Sequence, residues 1–206
     1  AAAAAAVEVL CVEILPITTL MSLALLSREK TTGDACEYPR ILSIQSHVAH
    51  GYVGNKIATF PLLLHGFDVD AINTVSLSNH SGYPIIRGHR MDLTEFMTIL
   101  DGMRSNHFLS DYNYVLTGYI NNVEIIHQMK ETIKEIHSLQ DSKANVVAKA
   151  MYFCDPVMGD DGKMYCKEEV INAYRSLLPW VDVLTPNYYE AKLLSGVNVT
   201  DISTAI

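Results

Sequence analysis

From Arg40 onward the chain alternates without exception between apolar runs of strand length and stretches of helical periodicity. Residues 40–45, 67–76, 114–118, 146–154 and 181–185 predict strands. Residues 55–65, 93–105, 123–138, 168–178 and 187–195 predict helices. In the third helix Ile125, Met129, Ile133 and Ile136 recur at helical spacing, as an amphipathic face requires. Gly66 and Gly196 follow the first and last helices, and Pro179 closes the fourth. A strand followed by a helix and another strand needs a crossover connection. The expectation is therefore an α/β fold: a mostly parallel sheet with helices on both faces.

The first part of the chain does not share this pattern. Ala1 to Ala6 is a homopolymer, and residues 14–27 carry no charge. That run is short of the roughly 18 apolar residues that suggest a membrane span. Its flank holds Glu8 and Glu13 and no basic residue, unlike a secretory signal. Residues 27–39 are polar and read as a linker. Residues 1–38 are thus expected to be a disordered or artefactual extension, and residues 39–206 the folded domain. Hydrophobic residues at 49% of the chain are enough to build its core.

Charge and cysteines exclude several classes. Lys and Arg number 15 against 23 Asp and Glu, a net charge of −8. That balance opposes general nucleic-acid binding, which needs a basic face. Cys11, Cys36, Cys154 and Cys166 form no C-x-x-C pair. Neither a disulfide framework nor a paired zinc site is indicated, and a reduced, cytosolic setting fits.

In parallel α/β sheets chemistry collects at the carboxyl ends of the strands. Those positions are polar, Gly-rich or acidic here. Ser46-His47 and Gly51-Tyr52-Val53-Gly54 follow the first strand, and Asn79-His80-Ser81-Gly82-Tyr83 the second. Gly118-Tyr119 follows the third, Asp155-Pro156-Val157-Met158-Gly159-Asp160 the fourth, and Pro186-Asn187-Tyr188-Tyr189-Glu190 the fifth. Asp155, Asp160 and Asp161 on one short loop suit a hard cation such as Mg²⁺, which takes oxygen ligands and bridges to phosphates; an ordinary acidic turn is the plainer alternative. Asn187 and Glu190 have the spacing of a capping box, and the same helix start could face a phosphate–metal cluster. There is no G-x-G-x-x-G, no G-x-x-x-x-G-K-[ST] and no G-x-S-x-G, so dinucleotide, P-loop and serine-hydrolase chemistry are disfavoured. Tyr52, Tyr83, Tyr119 and Tyr165 are flat surfaces suited to an aromatic ligand, and for each alone a half-buried packing residue is the plainer reading.

Together these motifs resemble the pyridoxal kinases, within the ribokinase-like fold. The resemblance is carried by Ser43-Ile-Gln-Ser46-His47-Val48, Gly51-Tyr-Val-Gly-Asn55, Ala58-Thr-Phe-Pro61, Ser78-Asn-His-Ser81-Gly-Tyr83 and Val115-Leu-Thr-Gly-Tyr119. Cys154-Asp-Pro-Val-Met-Gly-Asp160 and Leu184-Thr-Pro-Asn-x-x-Glu190 complete it, in the family's order, from Pro39 to about Gly196. It implies ATP-dependent phosphorylation of the 5′-hydroxyl of pyridoxal, pyridoxine and pyridoxamine, in pyridoxal 5′-phosphate salvage. It implies a vitamer pocket of Ser46, Val53, His80, Ser81 and Tyr119, with Ser81 standing where the family has Thr. Asp155, Tyr165, Asn187 and Glu190 are implied on the nucleotide side, and Asp155, Asp160, Thr185 and Glu190 around the metal. The loop from Asp160 to Tyr165 resembles a flap over ATP. ATP and Mg²⁺, with K⁺ or Na⁺ as a further candidate, are the implied cofactors. The implied assembly is a cytosolic homodimer, binding neither nucleic acid nor membrane.

One family element has no counterpart. The Gly-Thr-Gly-Asp segment, whose amides form an anion hole and whose Asp is the catalytic base, does not occur among the 206 residues. No catalytic base is therefore assigned. The expectation is an N-terminal portion of such a kinase, truncated at the C-terminus and with negligible turnover by itself. Alternatives are another ribokinase-like enzyme, such as a hydroxymethylpyrimidine kinase, or a non-catalytic vitamer-binding or dimerising isoform.

Overall fold

The computed structural model describes residues 38–143 and 148–198. The expected 1–38 extension falls outside the described residues, apart from Tyr38. So do residues 146 and 147 of the expected fourth strand and everything after residue 198.

Six strands form one sheet in the order β3-β2-β1-β4-β5-β8. They are β1 (Arg40–Val48), β2 (Asp68–Leu77), β3 (Gly88–Arg90), β4 (Tyr114–Thr117), β5 (Met151–Cys154) and β8 (Val183–Leu184). The helices are α1 (Asn55–Leu64), α2 (Leu93–Ser105), α3 (Val123–Asp141), α4 (Glu168–Leu177) and α5 (Tyr188–Ser195). All sheet pairings are parallel except that of β2 with β3. The expected mostly parallel α/β fold is observed. Two features differ from the alternation read above. Strand β3, Gly-His-Arg, is a short polar antiparallel addition with no apolar run to announce it. The loop from Asp160 contains a hairpin of β6 (Gly159–Asp160) and β7 (Lys163–Met164). Its turn uses Asp161 and Gly162, both at positive φ, the pair that hairpin geometry favours.

The sheet separates two apolar layers. On one face Leu42, Ile44, Val115 and Tyr152 pack with Phe96 and Leu100 of α2, the buried stripe of α3 and Val170 and Tyr174 of α4. Ile125, Met129, Ile133 and Ile136 are all buried, as their spacing predicts. On the other face Ile41, Tyr114, Leu116 and Phe153 meet Ala58 and Leu62 of α1. Helix α1 turns Ile57, Phe60, Leu63 and Leu64 outward, with Phe60 66% and Leu64 72% exposed.

Capping sets the helix boundaries. Asp92 and Asn187 form capping boxes with Glu95 and Glu190, and Asn122 caps α3. Asn187 therefore precedes its helix rather than opening it. Gly196 ends α5 in the left-handed region, the conformation its position demanded.

Candidate active site

The chain leaves β1 to build β2 on one side and later returns to lay β4 on the other. That reversal creates a crevice above the carboxyl ends of β1 and β4, where ligands of open α/β sheets bind. Ser46 lies at the end of β1. It is buried, with 8% of its surface exposed. Gly54, at the start of α1, packs its backbone against Ser46 at positive φ; a Cβ there would run into the Ser46 carbonyl. Glycine is required for that approach.

The turn after β1 is tied to the turn after β2 by Ala49 N–H to Leu77 O (2.8 Å) and His50 N–H to Ser78 O (2.9 Å). His80 and Ser81 sit exposed on that second turn, and Val53 is half-buried on the first. Gly82 N–H donates to His80 Nδ1 at 3.1 Å. The neutral imidazole therefore carries its proton on Nε2, a tautomer assigned from the hydrogen bond. Tyr83 packs edge-on against His80 with centroids 4.8 Å apart. Tyr119 follows β4 and is half-buried, and burial pushes its phenol pKa up. Ser46, near the end of β1, and Val53, His80, Ser81 and Tyr119, on the segments that follow β1, β2 and β4, thus lie at the carboxyl ends of three adjacent strands.

The acidic half of the rim lies beside them, after β5 and β8. Asp155 N–H donates to Thr117 O (2.9 Å), and Thr185 N–H to Cys154 O (3.0 Å), so both are anchored as sheet extensions. Glu190 is buried. Its Oε2 accepts Asn187 N–H and its Oε1 accepts Met158 N–H, both at 2.9 Å. Asn187 Nδ2 donates to Gly159 O at 2.8 Å. The capping box therefore also clamps the loop that follows Asp155. Desolvation, then the neighbouring Glu190 charge, pushes the Asp155 carboxyl up to about 7. Desolvation raises Glu190 as well, against three backbone N–H groups that lower it. Asp160 is exposed on β6, and its Oδ1 accepts Asp161 N–H. Tyr165 is exposed just after β7; desolvation, then Asp160, Asp161 and Glu190, raises its phenol.

These residues suit a magnesium ion. Thr185 Oγ1 is buried with no hydrogen-bond partner. Asp155 and Glu190 are two desolvated carboxylates that an added cation would relieve. Among the described residues no three His, Cys, Asp or Glu side chains converge as a complete cage. Cys154 is a buried thiol within the core.

A layer of buried polar residues lies under the rim; Gln45 and Asn55 stood inside quoted motifs with no role assigned, and Thr74 in none. Asn55, Gln45 and Thr74 are all buried, and Met158 donates its backbone to Glu190. Their signal in sequence is faint: polar residues inside otherwise apolar strand and helix patterns.

Known proteins resemble this chain in sequence and in fold. A family model described as phosphomethylpyrimidine kinase matches residues 107–206. A pyridoxal kinase of Arabidopsis thaliana is 44% identical over 161 residues, covering 78% of this chain and 50% of its own length. The human pyridoxal kinase is 40% identical over 162 residues, covering 76% and 49%. Among solved structures, pyridoxal kinase from Leishmania donovani in complex with ADP and pyridoxine matches with TM-score 0.78 and 66% identity, over 81% of this chain and 56% of that one. The enzyme from Trypanosoma brucei matches with TM-score 0.73 and 56% identity. The chain spans about half the length of the curated relatives it matches. In sequence and in fold this chain belongs to the pyridoxal kinase family.

Proposed function

We propose that this chain supplies the vitamer-binding and cation-binding half of a pyridoxal kinase, which transfers the γ-phosphoryl group of ATP to the 5′-hydroxyl of pyridoxal, pyridoxine or pyridoxamine. The observation that carries the reading is the placing on one rim of the buried Ser46 with the buried, unpartnered Thr185 Oγ1 and the desolvated Asp155–Glu190 pair. The 66% identical relative, solved with ADP and pyridoxine, supports it.

In this reading Ser46, Val53, His80, Ser81 and Tyr119 seat the pyridine ring. His80 offers Nε2–H as a donor, its other nitrogen being engaged by Gly82. Asp155, Asp160, Thr185 and Glu190 hold Mg²⁺, and Asn187 and Tyr165 face the nucleotide. A bound divalent ion would supply charge neutralisation at the triphosphate. Phosphoryl transfer depends mostly on such positioning and charge stabilisation. The general base belongs to the Gly-Thr-Gly-Asp element, which the 206 residues do not contain. A missing base costs about 10² to 10⁴ in rate. The 206-residue chain is therefore expected to bind vitamers and turn them over negligibly. Residues 39–206 act as one ribokinase-like unit in a homodimer, and the setting is cytosolic. Among the described residues no helix is long and apolar enough to cross a membrane.

The description of the matching family model favours a second reading, a hydroxymethylpyrimidine kinase. Calorimetric titration with pyridoxal and with hydroxymethylpyrimidine separates the two. Tighter binding of pyridoxal is expected, and preference for the pyrimidine would overturn the proposal. Robust ATP-dependent formation of pyridoxal phosphate by the 206-residue chain would refute the assignment of the base to the absent segment.

A further inference from the structure

Strands β1 and β2 run in register from Arg40↔Asp68 to Gln45↔Asn73, and then slip. The next pair is Ser46↔Val75, so Thr74 is an extra residue opposite nothing on β1. This is a β-bulge, a device that re-aims side chains beside binding sites. Here it sits directly next to Ser46. The Thr74 carbonyl accepts Met91 N–H at 3.0 Å on the outer side. Its side chain goes the other way, where the buried hydroxyl donates to the Tyr119 carbonyl at 2.7 Å. That bond passes over β1 to the turn that follows β4.

A second polar line braces the same turn. Asn55 Nδ2 donates to Ile72 O (2.9 Å) and Asn73 Oδ1 (2.8 Å), just before the slip. Asn55 Oδ1 accepts Ser43 Oγ–H at 2.7 Å, and Ser43 Oγ accepts Gln45 Nε2 at 2.9 Å. The Gln45 amide lies against Gly118, where a Cβ would come within 2.5 Å of Oε1. The turn carrying Gly118 and Tyr119 is thereby held by two polar lines, beside Ser46.

We propose that Thr74 is a positioning residue: through its hydrogen bond to the Tyr119 carbonyl, the β2 bulge sets the spacing between Ser46 and Tyr119 and so the width of the vitamer pocket. The proposal rests on the pyridoxal-binding reading of that pocket. Thr74→Val keeps the branched shape and removes the donor. It leaves a buried carbonyl without its partner, which corresponds to roughly a 5- to 100-fold effect where binding depends on that group's placement.

The test is calorimetric titration of the 206-residue chain with pyridoxal, alongside its melting temperature. Thr74→Val is expected to weaken pyridoxal binding at least about fivefold, and Thr74→Ser, which restores the hydroxyl, to return it to within about twofold. Unchanged binding in Thr74→Val would overturn the proposal. So would a Thr74→Ser variant as weak as Thr74→Val, since loss of the methyl would then be the cause. If the unmodified chain binds no pyridoxal, the functional reading fails separately, and tyrosine-ring ¹³C NMR decides the role of Thr74. The Tyr119 phenol is held above its ordinary range by burial. In Thr74→Val it should titrate at lower pH as the turn relaxes outward, and an unmoved resonance would refute the positioning role.

Discussion

Asp155 and Glu190 are held at the rim with more desolvation than counter-charge, and this has a cost that depends on pH. The Asp155 carboxyl titrates near 7 in the folded chain against an ordinary 3.8. Between those values the native state keeps a proton that the unfolded chain has released. Its contribution to stability therefore falls as pH rises from about 4 to about 7, the reverse of a salt-bridged carboxylate. Replacing Asp155 by Asn should raise the stability at pH 8 by about 2 kcal/mol after discounting for partial solvent access, and the melting temperature with it, with little gain near pH 4. Scanning calorimetry at the two pH values checks this, and an equal gain at both would contradict it. Magnesium should act at the same place. Added Mg²⁺ should raise the melting temperature of the unmodified chain at pH 8 and do so much less for Asp155→Asn. A second residue-scale constraint is Gly54. Its positive φ and contact with Ser46 leave no room for a side chain. Gly54→Ala should cost about 2–4 kcal/mol in chemical denaturation and weaken pyridoxal binding as Ser46 shifts.

At the scale of elements, α5 shows how a helix cap becomes part of a site. The Asn187–Glu190 spacing announced a capping box in sequence, and the box is present. What spacing could not reveal is that both side chains have second partners, Gly159 O and Met158 N–H. Asn187→Ala removes the cap and the loop clamp together, and should cost about 1–3 kcal/mol, more than a cap alone. Asn187→Asp keeps the capping oxygen and should recover part of the loss in urea denaturation. The same contrast runs through the other elements. Helix α3 was readable because its apolar period is a local property. Strand β3 was not, because Gly88, His89 and Arg90 carry no apolar pattern. They pair only because β2 presents an open edge at Val75 to Leu77. The β6–β7 hairpin lies between these cases. Its Asp161-Gly162 turn signal was present, but flanking strands of two residues each were too short to register as a period.

For the described portion as a whole, the reversal between β1 and β4 is the organising feature. Both strands are buried between helical layers and paired on both sides. Strand β8 joins through only two residue pairs and β3 through three. Amide hydrogen exchange should be slowest in β1 and β4 and fastest in β8 and β3, by orders of magnitude, since exchange follows local opening. Equal protection across all six strands would contradict this gradient.

Local chemistry in the chain was enough to determine the alternating elements, the parallel α/β class, the Asn187–Glu190 capping box and the crowding of functional residue types behind each strand. Those properties depend on neighbours within a few residues, which a linear pattern records. Tertiary structure alone decided the rest. It decided that β4 would pair with β1, that Thr74 would be the residue skipped at the bulge, and that Asp155 and Glu190 would share one desolvated pocket. Registers, bulges and pKa shifts come from contacts between residues tens of positions apart, such as Thr74 with Tyr119 and Met158 with Glu190. No local pattern encodes them, because their energies exist only once the sheet has closed around them.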